Sequence, residues 1–270
     1  MRGGNLRRPV ALTVAGSDPG GGAGIQADLK TFQALGAYGM SVVTAVTAQN
    51  TLRVGGVWAL PPQAVRDQLS MVLEDLGADA IKIGMLFNTE IIETVAEVLD
   101  SVAGVPVVLD PVMRAKGGHS LLEPSAEAAL LSHLVPRAHV VTPNLPEAQA
   151  LTGLSLDSEE SRIEAGRRLR ALGARWALIK GGHGQGREIR DHLVGPVEQS
   201  FVVERIDTPH THGTGCTLSS AIAVGLARGL SVPEAVGLAE GYVAGALRQA
   251  PGLGHGHGPL NHQWGMTPWR

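Results

Sequence analysis

Residues 10–36 read VALTVAGSDPGGGAGIQADLKTFQALG. The opening run, Val10–Ala15, is short, largely apolar and partly β-branched, as befits a strand buried on both faces. A glycine-rich turn, GSDPGGGAG, follows it. Apolar positions then recur at helical spacing over 24–35, and Gly36 supplies the stop. Strand, tight turn and helix in succession form the unit from which open parallel sheets are built.

The alternation continues along the chain. Further strands are predicted at Ser41–Ala48, Ala80–Gly84, Val105–Leu109, His139–Thr142, Trp176–Lys180 and Phe201–Arg205. Helices are predicted near 62–76, 89–100, 125–133, 145–151, 158–172, 214–228 and 233–248, and HLVGPVEQSFVV (192–203) reads as a local antiparallel hairpin. The fold class that follows is α/β, a three-layer αβα arrangement with a mainly parallel central sheet and helices on both faces.

Composition narrows the function classes. The chain has 270 residues, 44% of them hydrophobic, enough for one large core, and no Pro/Ser-rich linker divides it. One domain over 10–262 is expected, with a flexible segment at 1–9 and a tail at 263–270. A net charge of −3 with both signs scattered offers no basic footprint for nucleic acid. No apolar run is long enough for a membrane span. The single cysteine excludes an internal disulfide and fits a reducing cytoplasm. A homodimer is the default oligomer.

In such folds ligands bind beyond the carboxyl ends of the strands, so the polar residues there carry the functional argument. They are the glycine turn after the first strand, Gln49-Asn50 after the second and Lys82-Ile83-Gly84-Met85 at the third. Asp110 in VVLDPVM, Asn144 in VVTPNLPEA and Lys180 in ALIKGGH come next, and HTHGTGCTLSSA (210–221) closes the series. The last places Gly213, Thr214, Gly215 and Cys216 at the start of an apolar helix, where free backbone N–H groups and the helix dipole form an anion hole. Phosphoryl transfer needs mainly positioning and charge neutralisation. Asp110 and Glu147 are suited to hold Mg²⁺ through water, Lys180 to meet nucleotide phosphates, and Asn144 to orient phosphate or metal-bound water. Each residue also has a plainer reading: Asp110 as a turn residue, Asn144 and Glu147 as a helix N-cap with its N3 carboxylate, Cys216 as inert core. Their common place at one rim favours chemistry.

Two other motifs are set aside. The first glycine turn lacks both the Gly-Lys-Ser/Thr ending of a P-loop and the spacing of a dinucleotide fingerprint. The histidines of HGHGPLNHQW (His255, His257, His262) have no cysteine or carboxylate at metal-ligand spacing.

The blocks AGSDPGGGAGIQADLKTFQALGAYG, TAVTAQNT, KIGML, VVLDPVM, TPNLPEA, IKGGH and THGTGCTLSSAIA occur in this order. Together, from about Val10 to the PLNH segment at 259–262, they closely resemble the hydroxymethylpyrimidine/phosphomethylpyrimidine kinases of thiamine biosynthesis, within the ribokinase-like superfamily. The resemblance implies an ATP- and Mg²⁺-dependent enzyme phosphorylating 4-amino-5-hydroxymethyl-2-methylpyrimidine and then its monophosphate. It places Gln49 on the aminopyrimidine, with Asp28, Met85, Gly16 and Ala23 near it. Lys180, Asn144, Asp110, Glu147 and Gly213–Gly215 fall on the nucleotide and phosphate side.

Where many sugar kinases of the superfamily carry an aspartate base, the pyrimidine kinases and this chain carry cysteine. The expectation is a Cys216 thiol whose pKa is lowered by the helix start, accepting the hydroxymethyl proton. Cys216→Ala would then slow the first phosphorylation more than the second. RAKGGHSLL (114–122) is expected to act as a flap, and His212 and Thr211 either touch phosphate or cap the turn. The alternatives are a pyridoxal kinase and a non-catalytic pyrimidine-binding protein on the same fold.

Overall fold

A computed structural model of the chain describes residues 7–102, 104–115, 117–182 and 186–266. Residues 1–6, the last four of the expected tail, Lys116 of the expected flap and His183 of the IKGGH block lie outside the described residues.

A nine-stranded sheet organises the chain, in the order β3-β2-β1-β4-β5-β6-β7-β8-β9. Its strands are β1 (Val10–Ser17), β2 (Tyr38–Gln49), β3 (Val54–Ala59), β4 (Ala80–Ile83), β5 (Val107–Leu109), β6 (Val140–Val141), β7 (Trp176–Ile179), β8 (Glu188–Val194) and β9 (Glu198–Glu204). The pairs from β2 through β7 are parallel; β3 on one edge and β8 and β9 on the other run antiparallel. The expected mainly parallel sheet and the expected hairpin are both found.

Helices cover both faces. On one lie α1 (Gly24–Ala34), α7 (Thr214–Ala227) and α8 (Val232–Arg248). On the other lie α2 (Pro62–Asp75), α3 (Thr89–Leu99), the single turn α4 (Glu127–Ala129), α5 (Leu145–Thr152) and α6 (Glu159–Ala171). Strand alternation divides the residues between these layers. Leu12, Val14, Ile81, Ile83 and Leu109 pack toward α2 and α3, whereas Ala11, Ala80 and Val108 join the α1–α7–α8 core. The same alternation turns Thr13 and Lys82 toward α1 and α7.

Local signals set most boundaries. Asn88 accepts from Ile91 N–H at the start of α3, and capping boxes open α5, α6 and α8. Two expectations are corrected. The predicted helix at 125–133 is a broken series of 3₁₀, α and π turns over 124–137, with Pro136, which has no N–H to give a regular ladder, inside its last turn. The strand β3 was not expected, because Gly55 and Gly56 blunt its pattern; pairing with β2 holds it.

The order in which strands are added reverses beside β1, which has β2 on one side and β4 on the other. The loops after β1 and β4 therefore open a crevice at their carboxyl ends, the usual ligand position in open α/β sheets.

The fit of the outer layers is tight at particular glycines. A Cβ on Gly166 of α6 would stand 2.6 Å from Val194 Cγ2 of β8, whereas one on Gly241 of α8 meets nothing within 4 Å. Gly166→Ala is expected to destabilise by about 1–3 kcal/mol through overpacking, overriding its better helix propensity. Gly241→Ala is expected to stabilise by about 0.5–1 kcal/mol. Denaturant melts of the two variants check the contrast, and equal signs would contradict it.

Candidate active site

The phosphate side is built on the start of α7. Gly213 is the N-cap, at φ +83°, and brings no side-chain cap. A Cβ there would lie 1.7 Å from the Gly22 carbonyl oxygen, so only glycine lets the two turns meet. Thr214 spends its hydroxyl on Thr211 O at 2.8 Å. The first turn of α7 thus presents backbone N–H groups and the positive end of the dipole. Opposite it, a Cβ on Gly215 would be 3.4 Å from Lys180 Nζ and 3.6 Å from Asp110 Oδ2. Lys180 pairs with Asp110 Oδ1 at 3.0 Å, and Thr142 and Ser219 hydroxyls reach the same carboxylate at 3.4 Å. Burial opposes the Lys180 charge, but Asp110 and Glu147 outweigh it and keep the ammonium protonated. Lys180 therefore stands at the rim already paired.

Asn144 and Glu147 form a reciprocal capping box at the start of α5, as their plainer reading expected: Glu147 N–H donates to Asn144 Oδ1 at 2.9 Å and Asn144 N–H to Glu147 Oε2 at 2.8 Å. They also lie within electrostatic reach of the rim. Burial, with Asp110 adding to it against Lys180, pushes the Glu147 carboxyl up to about 7. Two buried carboxyls with one lysine between them are short of positive charge. Their donor set fits a divalent cation held through its water shell. Among the described residues no group of three or more His, Cys, Asp or Glu forms a closed metal cage. Deeper in, Asp191 Oδ1 accepts from Gly181 N–H at 2.7 Å and pairs with Glu240 of α8, whose carboxyl burial and the Asp191 charge push up to about 9.

The acceptor side is a cavity of about 370 Å³ lined by Gln49, Asn50, Ala115, Gly118, His119 and His212, among others. A larger hollow of about 560 Å³, at Arg7, Asp79 and Arg228, lies by the amino ends of the strands and holds none of the rim residues. Met85 and Gly16 meet, since a Cβ on Gly16 would be 2.8 Å from Met85 Sδ. Asp18, which the sequence did not single out, organises the first glycine turn. Its carboxylate accepts from the N–H groups of Gly20 (2.8 Å), Gly22 (3.2 Å) and Ala23 (2.9 Å) and meets His212 Nε2 at 2.8 Å. Burial raises its pKa, but His212 and these N–H groups overcome that and hold it below the usual range.

Two expectations change beneath this surface. Asp28 was expected beside the pyrimidine, but it is fully buried with both oxygens engaged. Thr13 (2.6 Å), Ser220 (2.7 Å) and Lys82 (2.8 and 3.0 Å) all donate to it. It therefore underlies the site as the counter-charge of Lys82, which alternation in β4 turns inward. The second change is at Cys216. Burial raises its pKa; Lys82 and the Gly24 N–H lower it and Asp28 and Asp110 raise it, leaving the thiol at about 11. The helix start does not overcome desolvation, so the expected thiolate base is replaced by a protonated thiol. Asp18 and Ser220 are the residues sequence reasoning missed, and Lys82, named among the strand ends, was given no role. A lysine inside the otherwise apolar AIKIG was a usable signal, since a buried charge requires a partner.

The chain matches the family model described as phosphomethylpyrimidine kinase over residues 18–261. It is 52% identical over 258 residues to the hydroxymethylpyrimidine/phosphomethylpyrimidine kinase of Streptomyces coelicolor, covering 96% of each chain. To the enzyme of the same name from Bacillus subtilis it is 48% identical, covering 93% of this chain and 94% of that one. Among solved structures it resembles pyridoxal kinase from Bacillus subtilis in an ADP complex, with a TM-score of 0.87, 38% identity and coverage of 95% of this chain and 98% of that one.

Two measurements test this electrostatic picture. Cys216 is the only cysteine, so the pH dependence of iodoacetamide alkylation reports it directly; a midpoint near 11 is expected, and one below about 8 would restore the thiolate. Glu240 has its folded pKa raised, so its contribution to stability is full below the unfolded carboxyl range and is lost as pH rises toward about 9. Glu240→Gln, which keeps a donor toward Asp191 without titrating, is expected to melt above the wild type at pH 8, with the gap closing by pH 5.

Proposed function

The chain belongs to the phosphomethylpyrimidine kinase family, and from that premise we propose that it transfers the γ-phosphoryl group of ATP to 4-amino-5-hydroxymethyl-2-methylpyrimidine and then to the resulting monophosphate, in thiamine biosynthesis. The observation that carries the proposal is the joining of two half-sites. The uncapped start of α7, with Lys180 and Asp110 across from Gly215, adjoins a cavity ending in Gln49 and His212.

The geometry supports the following division of labour. The N–H groups at Gly213–Cys216 receive the phosphoryl group in flight, where charge spreads over its equatorial oxygens. Lys180 neutralises phosphate charge and is kept protonated by Asp110. Asp110 and Glu147 would hold Mg²⁺, which when bound would supply further neutralisation of phosphate charge. Gln49 meets the aminopyrimidine edge, since a carboxamide offers both donor and acceptor. Gly16, Met85 and Ala23 shape the pocket near it, and Asn144 holds Glu147 in place. Cys216 serves as a neutral neighbour of the acceptor oxygen. We also place the enzyme in the cytoplasm as a homodimer. Support for a dimer comes from Val46 and Trp58, cross-strand partners on the β2–β3 hairpin that are both exposed.

The protein incubated with Mg-ATP and the hydroxymethylpyrimidine, in parallel with pyridoxal, is expected to yield the pyrimidine mono- and then diphosphate as main products on chromatography. Pyridoxal phosphate alone would move the activity to the vitamin B6 kinase. With the thiol protonated, Cys216→Ala is expected to slow both steps by similar factors; a loss confined to the first step would restore the base.

A further inference from the structure

Gln49, His212, Asp18 and Thr47 meet in a chain of contacts whose donors and acceptors fix one another. Asp18 is a carboxylate with three backbone N–H groups already on it. His212 Nε2 lies 2.8 Å from its Oδ2, so that nitrogen carries the proton. The same nitrogen lies 3.3 Å from Gln49 Nε2, but its one proton points at Asp18 and it keeps no lone pair for an amide N–H, so the carboxamide oxygen, which can share that proton, fits there better. Gln49 Oε1 lies 3.4 Å from Thr47 Oγ1. That hydroxyl spends its single proton on Ser17 O at 2.9 Å, so it can only accept from Gln49. Both neighbours demand one orientation: oxygen toward His212, nitrogen toward Thr47. Placed the other way, with Nε2 facing His212, both contacts set like against like. Carboxamide oxygen and nitrogen are nearly isosteric, and their assignment follows the hydrogen-bond network.

We propose that Asp18 and His212 are positioning residues that lock the Gln49 carboxamide in this single orientation and thereby set the acceptor specificity of the site. The assignment rests on the proposed function. A carboxamide has two donor and two acceptor positions. His212 takes one acceptor position and Thr47 one donor, leaving one lone pair and one N–H facing the cavity in a fixed order. That order suits a ring nitrogen that accepts beside an exocyclic amino group that donates. The 4-oxo analogue, 5-hydroxymethyl-2-methylpyrimidin-4(3H)-one, presents the reverse order: its ring N–H donates and its carbonyl accepts. Only a carboxamide free to turn over can serve both.

The lock also ties the acceptor pocket to the phosphate turn. His212 immediately precedes Gly213, and a Cβ on Gly22 would stand 2.5 Å from the His212 ring. Asp18 holds the glycine turn on one side and His212 on the other. The residue that orients the substrate ring and the turn that receives the phosphoryl group are thus fastened by one hydrogen bond.

The test compares kcat/KM for the amino substrate and its 4-oxo analogue. The wild type is expected to prefer the amino form by at least about a hundredfold, as a site with fixed hydrogen-bonding groups does. His212→Leu frees the carboxamide, and the preference is expected to fall at least about tenfold. His212→Gln, which can donate to the same oxygen, is expected to keep most of it. Thr47→Val, which removes the other contact and packs in the same space, is expected to lower the preference in the same direction and serves if His212→Leu does not fold. Calorimetric binding of the two pyrimidines gives the same ratio without turnover. A ratio unchanged in both His212→Leu and Thr47→Val, however slow the variants, overturns the lock. Failure of the wild type to phosphorylate or bind either pyrimidine overturns the proposed function, and the lock with it.

Discussion

A lysine ammonium with no exposed surface sits under the crevice, and much of the site depends on how it is balanced. Lys82 rises from the centre of the sheet and gives two hydrogen bonds to Asp28 of α1; Thr13 of β1 and Ser220 of α7 complete the carboxylate. Four elements are joined by this one charge pair. Replacing such a pair with apolar residues is often neutral or better, but removing one partner strands a buried charge and costs about 3–5 kcal/mol. The pair therefore holds β1, β4, α1 and α7 in register at the end of the sheet where position matters most. Because Ser220 lies one helical turn beyond Cys216, the pair also fixes the rotation of α7, and with it the direction in which the first-turn N–H groups point.

Above that layer the crevice is closed by contact between two glycine turns. Gly213 and Gly22 approach more closely than any side chain would allow. Close approach of backbone to backbone leaves polar groups that must be satisfied, and Asp18 does this for the first turn by accepting three N–H groups. The rigidity is useful, since a turn meant to receive a phosphoryl group loses most of its value if it must reorganise during transfer.

The sequence announced the sheet clearly, because strands buried on both faces leave continuous apolar runs and their helices carry ordinary start and stop signals. It announced the rim as well: every polar residue ending a central strand lies at the carboxyl ends, as topology requires. What it concealed was depth. Asp28 and Gln49 look equally available in their blocks, yet one lies under the surface and the other on the cavity wall. Cys216 at a helix start suggests an acidic thiol, but burial reverses the shift, and the carboxylates that add to it, Asp28 and Asp110, come from more than a hundred residues away. The glycines of β3 erased a strand that only its partner reveals. The donor order at Gln49 is equally non-local, because Ser17 and Asp18 at the end of β1 and His212 before α7 set it from segments almost two hundred residues apart.

A neutral thiol at residue 216 bears on why one site could serve two acceptors. An alcohol and a phosphate monoester differ little in where the attacking oxygen must lie but greatly in charge. In a loose phosphoryl-transfer transition state the new bond is barely formed, so the alcohol proton can leave late and a strong base gains little. A fixed carboxylate beside the acceptor would help the alcohol. Against the monoester it would repel by about 4 kcal/mol for each unit of charge at 4 Å, with the effective dielectric of a partly buried site. The thiol, held protonated by burial and by Asp28 and Asp110, adds no such repulsion. Lys82 beneath it leaves the local charge balanced without a nucleophile-facing anion. Under the proposed function, the residue that looks like a base by position fits better as an uncharged wall, and that neutrality would let the same N–H groups meet both the first phosphoryl transfer and the second.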